Sequence, residues 1–452
     1  MPDDRELAQR LRAYESRIPD DDPPDPRAIR RARTTGWPML LAGASAVAAV
    51  GVAITVLLNA LPSNLELGPS PSPSGSLSAR TSAGPSQSSA PTAGESATVV
   101  PAESPPQTPV PSEGAPVMWT EGMAVEGRVF DVIWLGDAWL AAGAGMGGRA
   151  ASWTSSDGLS WQAGAPIDPE PVACCEEPGG TAYWITTLIE FDDEILAFGW
   201  ARIGCCDGGR PTIWRSSDAV TWTLVDITGT AFDSYHIPTA ASLAPTGELV
   251  VIGATGLGSG TTVFTSPDGT AWEEHLLAAS GSNERMDAVA ASPSLLVGVG
   301  FTQMWSSTDG RAWRAIPLPE PQSRLSSIGW DPDGERFVAG GSDSNGRPAV
   351  WLSTDAASWS KVSLSDDAGA VAEVAAGDGL IVAGGSQGAF PNQVTTAWVS
   401  SEGHAWQAAP LRQGGGAAKV ATRARRAVAW FDTPYDPDSG PTTEVWAATP
   451  AD

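Results

Sequence analysis

The sequence predicts an all-β fold, a β-propeller, from a repeated motif, its spacing and the composition. The motif is an aromatic residue, then Ser, an acidic residue, Gly or Ala, and a closing Trp, as in Trp153-Thr-Ser-Ser-Asp-Gly-Leu-Ser-Trp161. A repeat of about 40–50 residues is typical of propellers and solenoids. The 50 Gly and 20 Trp residues favour strands and turns over helices. The six copies are Trp153–Trp161, Trp214–Trp222, Phe264–Trp272, Trp305–Trp313, Trp351–Trp359 and Trp398–Trp406.

Each motif predicts two strands joined by a tight turn. Ser155, Asp157 and Gly158 supply a side chain that bonds its own backbone and a position with positive φ. A pair of apolar strands precedes each motif, and the first strand of the pair is rich in small residues, as at 371–376. Four antiparallel strands per repeat, with the small-residue strand nearest the axis, make a propeller blade.

A seventh blade is predicted from both ends of the repeat region. Residues 417–422 and 426–431 form a seventh pair of strands, and Glu444-Val-Trp446 opens a further motif. Trp119 lies in phase with the closing Trp residues, so we expect 117–120 to complete that blade. The prediction is a seven-bladed β-propeller over 117–452 whose N-terminal strand closes the last blade and removes two sheet edges.

Residues 1–36 are predicted to be a cytoplasmic head. They contain eight Arg and eight acidic residues, and Leu7, Leu11, Tyr14 and Ile18 follow a helical spacing. The head is interpreted as a solvated tail or as a docking helix for a cytoplasmic partner. Its charged composition and the run from Pro24 to Arg31, ahead of an apolar segment, are similar to membrane-anchored actinobacterial regulators, including anti-sigma factors.

Residues 37–61 are predicted to be a single transmembrane helix. The run from Met39 to Leu61 has no charge and is long enough to cross a hydrocarbon core of about 30 Å. Four Arg residues lie between 27 and 33, so the positive-inside rule places the N-terminus in the cytoplasm and the propeller outside. A cleaved signal peptide is the alternative, but its charged region and its apolar region would both be too long.

Residues 62–116 are predicted to be a disordered stalk, because 12 Pro and 13 Ser leave little to form a core. Extended as polyproline II, it would reach about 170 Å, and as a flexible coil about 40 Å. The net charge of −26 and the presence of only two lysines, Lys361 and Lys419, exclude nucleic acid as a partner.

The motif resembles the Asp-box of the sialidase repeat family, which lies in the turn between the two outer strands of propeller blades. That resemblance implies a structural role for the boxed residues. Sialidase catalysis would further require three Arg, a Tyr nucleophile supported by Glu, and an Asp acid. The propeller contains only Tyr183, Tyr235 and Tyr435, and the Arg-Ile-Pro triplet typical of the family falls at Arg17–Pro19, within the predicted cytoplasmic head.

The four cysteines, Cys174, Cys175, Cys205 and Cys206, are predicted to form disulfides between two loops of the second blade. A metal or redox site is the alternative. No cofactor and no metal site is expected elsewhere, because His236, His275 and His404 fall in separate repeats and lack ligand spacing.

Ligand-binding residues are predicted on the irregular loops of one face. The b–c and d–a loops share that face, and irregular loops on a rigid scaffold commonly carry binding residues. Aromatic planes with a few polar partners suit a sugar or a protein hot spot, and Trp200, Arg202 and Tyr435 are the preferred alanine targets. The candidates are Trp200, Arg202, Arg210, Tyr235, His236, Phe390, Asn392 and Tyr435.

The favoured function is a membrane-anchored extracytoplasmic propeller that binds or scaffolds an envelope glycan or protein without catalysis. A sialidase-type glycoside hydrolase is one alternative. A transmembrane sensor that relays occupancy of the propeller to the cytoplasmic head is another.

Overall fold

The computed structural model describes the residue ranges given at the end of this paragraph. Its strands form seven antiparallel sheets arranged as the blades of a β-propeller, which confirms the predicted fold and blade number. Strands a to d of each blade run from the axis outwards. The described ranges are 117–165, 167, 182–202, 209–234, 236–255, 260–277, 285–389, 391–433 and 440–450.

Each of the first six blades contains four consecutive strands. Blades 1 and 2 comprise Arg128–Leu135, Ala138–Ala144, Ala150–Ser155 and Gln162–Ala163, then Ala182–Phe191, Glu194–Arg202, Gly209–Ser216 and Thr223–Leu224. Blades 3 and 4 comprise His236–Leu243, Leu249–Thr255, Thr261–Ser266 and Glu273–Leu276, then Ala288–Ala291, Leu296–Val299, Met304–Ser307 and Arg314–Ile316. Blades 5 and 6 comprise Arg324–Asp331, Arg336–Ser342, Pro348–Ser353 and Ser360–Ser363, then Gly369–Gly377, Leu380–Gln387, Val394–Ser400 and Gln407–Gln413.

Blade 7 is built from the two ends of the propeller sequence. Strands a to c are Lys419–Arg423, Arg426–Asp432 and Thr442–Pro450, and strand d is Val117–Glu121. Val117 pairs with Pro450 and Glu121 with Trp446, and the short strand Val125–Glu126 extends the same pairing. The predicted closing strand is therefore confirmed.

The hydrophobic core lies between neighbouring blades. The aromatic residue that opens each motif is on strand c and is buried, for example Trp214 at 1% and Trp398 at 0% exposure. Trp214 packs with Leu140 of blade 1 and Ile185 of blade 2 in one cluster. Because each sheet buries its faces against both neighbours, a blade outside the ring would expose a large apolar surface.

The innermost strands form a continuous ring, since strand a contacts strand a of the next blade around the whole circle, including blade 7 with blade 1. In several blades this strand carries a β-bulge close to its start. The bulged residues are Phe130, Thr186, Thr239, Ser326 and Ala372. A bulge kinks the strand and redirects the next side chain, so it sets which residues face the neighbouring blade.

Residues 1–116, which include the predicted head, membrane span and stalk, lie outside the described residues. Among the described residues, no helix has the length and apolar character needed to cross a membrane.

Candidate functional site

The two faces of the propeller differ in their connections. The a–b and c–d turns form one face, named here the turn face, and they are short in every blade. The b–c and d–a connections form the other face, named here the loop face, and they vary in length. Val117 pairs with the last residue of strand c, so the chain enters the propeller at the turn face.

The Ser and Asp side chains of the motif stabilise the c–d turn. Asp157 accepts the backbone N–H groups of Leu159 and Ser160, both at 2.8 Å, on the same oxygen. The Ser155 hydroxyl donates to Asp157 and accepts the N–H of Gly158 at 2.8 Å. The pair of bonds to the carboxylate recurs at Asp218, Asp268, Asp309 and Asp355.

These hydrogen bonds favour the ionised form of the turn carboxylates. Backbone N–H groups of Thr221 and Val220 lower the pKa of Asp218 to about 2. Those of Ala271 and Thr270 lower the pKa of Asp268 to about 2. A carboxylate already saturated by its own turn is poorly suited to proton transfer near neutral pH, so the boxed aspartates are structural.

The sixth motif departs from this pattern. Ser400 still accepts the N–H of Gly403 at 2.8 Å, and the Trp406 indole donates to the Gly403 carbonyl at 2.8 Å. Within the described part of the chain, however, the Glu402 carboxylate receives no hydrogen bond from this turn. The extra methylene of Glu moves the carboxylate away from the two N–H groups that Asp reaches.

Trp200 lies in strand b of blade 2 rather than in a loop, because the pairing of strands b and c continues past Trp200 to Arg202, which pairs with Gly209. Its ring stacks on Trp184 with centroids 4.8 Å apart and an interplanar angle of 12°. The Trp200 ring also lies directly against Gly209, since a Cβ atom added to Gly209 would be only 1.7 Å from the ring. Trp200 is thus packed between Trp184 and the backbone of strand c, and Trp184 is a partly exposed aromatic residue that the sequence did not suggest.

Two predicted candidates are exposed on the loop face. Arg210 is the second residue of strand c of blade 2, with its side chain 69% exposed and its guanidinium 3.8 Å from the Asp233 carboxylate. Asn392 is exposed in the b–c loop of blade 6, where its backbone N–H donates to Ala389 at 2.9 Å. These two side chains remain available to an external ligand.

His236 is buried, contrary to the expectation that its loop exposes it. It is 8% exposed at the start of strand a of blade 3. Its Nδ1 lies 2.7 Å from the Ser234 hydroxyl and its Nε2 lies 2.9 Å from the Thr262 hydroxyl. Burial lowers its pKa. Both ring nitrogens are therefore engaged within the protein.

Other predicted residues lie outside the described part of the chain. They are Tyr235, Phe390, Tyr435, Cys174, Cys175, Cys205 and Cys206, and the side chain of Arg202 shares this status. The predicted disulfides and these four ligand contacts remain predictions. Within the described residues, no group of three His, Cys, Asp or Glu side chains could hold a metal ion.

A second polar site, which the sequence analysis missed, lies on the innermost strands. There, side chains of bulged residues or of the residues that follow them bind the backbone of the following blade. Thr186 donates to the Pro238 carbonyl at 2.7 Å, between blades 2 and 3. Ser326 donates to the Val371 carbonyl at 2.6 Å, and Ser327 accepts the Val374 N–H at 3.0 Å, between blades 5 and 6.

Around blade 7, charged side chains form the hydrogen bonds to the backbone of the neighbouring blade. Glu373 of blade 6 accepts the Val420 N–H at 3.3 Å, and the Lys419 Nζ donates to the Phe130 carbonyl of blade 1 at 2.8 Å. Asp131 of blade 1 accepts the Leu188 N–H of blade 2 at 2.7 Å. We name Asp131, Glu373 and Lys419 the axial triad.

The axial triad is enclosed by protein although its side chains keep some accessible surface. Burial raises the pKa of Glu373 to about 7, against the attraction of Lys419. Burial also raises the pKa of Asp131, against the hydrogen bond from Leu188 and the charge of Lys419. Lys419 attracts the ionised form of both carboxyl groups, and burial opposes ionisation of both.

Three arginines occupy equivalent positions at the start of strand a. Arg128 lies 3.9 Å from Asp432, Arg285 lies 2.7 Å from Asp287, and the Arg324 guanidinium lies 4.6 Å from the ring centroid of Phe301. They belong to blades 1, 4 and 5, and each has a partner within the protein. Tyr183, the described candidate for a sialidase nucleophile, is 5% exposed and packs against Trp214.

Comparison with solved structures relates the chain to other proteins by fold alone. No family model matches the sequence, and no curated protein is significantly similar to it. A catalytically inactive virginiamycin B lyase from Staphylococcus aureus with quinupristin is 10% identical, with TM-score 0.50, over 73% of this chain and 99% of that chain. At this identity the similarity concerns the fold alone.

Two further structures have lower TM-scores. YCF48 bound to D1 peptide is 14% identical over 76% of this chain and all of that chain, with TM-score 0.47. A phage phi92 endosialidase is 9% identical over 75% of this chain and 70% of that chain, with TM-score 0.42.

Proposed function

We propose that the protein is a binding module whose loop face takes up a glycan or protein of the cell envelope, and that residues 1–116 anchor it at the outer surface of a membrane. The observation that carries this proposal is the contrast between the two faces. On the turn face, the repeated Ser and Asp side chains are occupied by their own backbone. The irregular loop face instead presents exposed polar side chains, Arg210 and Asn392.

The point at which the chain enters the propeller supports the same assignment. Residue 116 is bonded to Val117, which lies at the turn face. The covalent link to residue 116 therefore starts from the turn face. The Asp-box resemblance of the motif supports the fold assignment and a structural role for these turns, and brings no activity with it.

Catalysis is not part of the proposal. A sialidase mechanism requires arginines that converge on a substrate carboxylate, whereas Arg128, Arg285 and Arg324 are engaged with Asp432, Asp287 and Phe301. The described tyrosine, Tyr183, is buried.

The test measures binding of the full-length protein to purified peptidoglycan and to neutral and acidic envelope polysaccharides. We expect saturable binding to one of these probes. Arg210→Ala and Asn392→Ala should each weaken it by at least about five-fold, which corresponds to about 1 kcal/mol. Arg423→Ala is the matched control, because Arg423 is 61% exposed on the turn face and, like Arg210, lies beside an aspartate, Asp378, at 3.5 Å.

Three results would contradict the proposal. One is equal weakening by Arg423→Ala, which would place the ligand elsewhere. Another is the absence of binding to every probe, which would contradict a glycan as the ligand. The third is the release of sugars with time, which would favour the hydrolase alternative.

A further inference from the structure

A stacked pair of tryptophans lies at the loop-face end of blade 2. Trp184, the third residue of strand a, pairs across the sheet with Trp200 of strand b. Their ring centroids are 4.8 Å apart, which matches the spacing of about 4.7–4.9 Å between neighbouring strands. The rings therefore stack along the line that joins strand b to strand a. Because strand a is the innermost strand, the ring face of Trp184 that does not contact Trp200 is turned towards the axis.

The hydrophobic core does not account for this pair. Tyr183 and Ile185, which flank Trp184 in strand a, belong to the core between blades 1 and 2. Phe198, two residues before Trp200, belongs to the core between blades 2 and 3. Among the described residues, neither tryptophan is a member of these two clusters, and both rings are partly exposed. A rigid aromatic ring that keeps exposed surface beside the irregular loops is placed to contact a ligand.

Two other blades have a partly exposed tryptophan on strand a, but at the turn face. Trp134 contacts Trp139 of strand b edge to face, at 4.9 Å and 77°, and Trp330 contacts Phe337 in the same way, at 4.8 Å and 65°. The pair that contains Trp184 is instead parallel, with an angle of 12°. A parallel partner fixes the plane of the Trp184 ring and leaves its opposite face outside the pair, so a second flat surface can stack there.

Polar groups lie at the same end of blade 2. Pro211 pairs with Trp200, so Arg210, which precedes Pro211, lies two strand spacings, or about 10 Å, from strand a. Its guanidinium is 3.8 Å from the Asp233 carboxylate, which is longer than a hydrogen bond. The other oxygen of Asp233 accepts the Gly229 N–H at 3.3 Å. Arg210 and Asp233 together can therefore donate to and accept from a ligand, as hydroxyl groups require.

Charge and polarity indicate the class of ligand. The chain has 52 acidic residues against 26 basic ones, which disfavours a polyanion, and Arg210 and Asp233 together carry no net charge. A hot spot for a protein partner requires an aromatic anchor in a fully desolvated pocket, whereas these two charged side chains are exposed or partly exposed. A neutral sugar fits both features, because its C–H groups pack on an aromatic face while its hydroxyl groups reach polar partners.

We infer that Trp184, supported by Trp200, is a stacking platform for one pyranose ring of a neutral glycan, and that Arg210 and Asp233 bind hydroxyl groups of an adjoining sugar. The inference rests on the proposed function of the loop face and names the class of ligand. A chain of several sugars is needed, since the platform and the polar pair are about 10 Å apart.

The test is calorimetric titration of the full-length protein with neutral tetrasaccharides of N-acetylglucosamine, glucose or mannose, and with the acidic tetrasaccharide of galacturonic acid. We expect saturable binding of one neutral probe and weaker or no binding of the acidic one. Trp184→Leu keeps apolar bulk without the ring and should weaken neutral binding at least about ten-fold. Trp184→Phe keeps a smaller ring and should weaken it only about three-fold.

Trp330→Leu is the matched control, because Trp330 is also a partly exposed tryptophan of strand a with an aromatic partner on strand b, but lies at the turn face. It should bind as the wild type does. Thermal unfolding verifies that each variant is folded. If Trp184→Leu does not fold, Trp184→Phe decides alone, and unchanged binding by that variant overturns the inference.

The inference is also overturned if Trp184→Leu binds the neutral probe as the wild type does, if Trp330→Leu weakens binding equally, if the acidic probe binds more tightly, or if no neutral probe binds. The proposed function survives each of these results when another envelope glycan or an envelope protein binds and Arg210→Ala weakens that binding. It falls with the inference only when Arg210→Ala and Asn392→Ala leave all binding unchanged.

Discussion

The Nζ atom of Lys419 donates a 2.8 Å hydrogen bond to the carbonyl oxygen of Phe130, and this bond joins the last blade of the ring to the first. Phe130 is a bulged residue, so its carbonyl is available to a side chain of the neighbouring blade. Only two lysines occur in the chain, and one of them closes the propeller. Replacing each lysine separately tests the importance of this closure.

Lys419→Met should destabilise the propeller by about 1.5–3 kcal/mol, because it removes the charged donor to the Phe130 carbonyl and the attraction that Lys419 exerts on Asp131 and Glu373. Lys361→Met is the comparison. Lys361 pairs with Glu320 at 3.0 Å and Asp343 at 2.9 Å and is 31% exposed, so we expect a loss of about 1–2 kcal/mol. Denaturant unfolding measures both. Equal losses of unfolding free energy would show that Lys419 contributes no more to stability than Lys361.

The boxed carboxylates should matter for stability and not for binding. Asp309→Ala removes the acceptor of the N–H groups of Arg311 and Ala312 and should cost about 0.5–2 kcal/mol. Glu402→Ala should cost less than about 0.5 kcal/mol, since the described turn gives its carboxylate no such bond. Thermal unfolding and ligand binding would both be measured. A folded Asp309→Ala protein that had lost its ligand would identify the turn as a binding site.

The residue that follows the boxed aspartate has positive φ, and its environment decides whether Ala is accepted. At Gly310, with φ of 77°, a Cβ atom would fall 2.6 Å from Val250, so Gly310→Ala should cost about 1–3 kcal/mol. Blade 5 has Ala356 at φ of 57°, buried among apolar side chains. Ala356→Gly should change stability by less than about 1 kcal/mol, because relief of the backbone offsets the lost methyl contact. Denaturation midpoints test both, and a stable Gly310→Ala protein would refute this explanation.

Closure of the ring predicts the effect of truncation. Deleting 117–121, or ending the chain before Glu444, removes strand d or strand c of blade 7 and leaves open sheet edges. Both changes should lower the melting temperature by more than the deletion of 62–116. If all three proteins melted at the same temperature, the closing strand would not contribute to stability.

Much of the fold could be predicted because the motif that specifies the c–d turn occurs six times in the sequence. The Ser, Asp, Gly and Trp positions specify local hydrogen bonds, so the blade count and the closing strand were accessible from the sequence. The loop boundaries were less accessible. The ladder of blade 2 extends through Trp200 to Arg202 and resumes at Gly209, which places Trp200 and Arg210 in strands. Only pairing across the sheet determines where a strand stops.

The axial triad was not predicted for a related reason. Asp131, Glu373 and Lys419 are far apart in the sequence, and each lies in a strand of small or apolar residues. A charge inside an innermost strand was the available signal, and its meaning depends on the bulges of blades 6 and 1, which lie directly before Glu373 and Asp131. Likewise, nothing in the sequence near His236 indicates that its imidazole ring forms a hydrogen bond with the Thr262 hydroxyl.

The pairing of Val117–Glu121 with Thr442–Pro450 also sets the order of events during biosynthesis. The first strand of the propeller to leave the ribosome pairs with the last one, so the nascent chain carries an unpaired β-strand until Thr442–Pro450 has been made. Contacts of such large sequence separation form slowly, and unpaired strand edges favour misassembly. We therefore expect correct folding to require that this strand stays apart from other chains until Thr442–Pro450 is available.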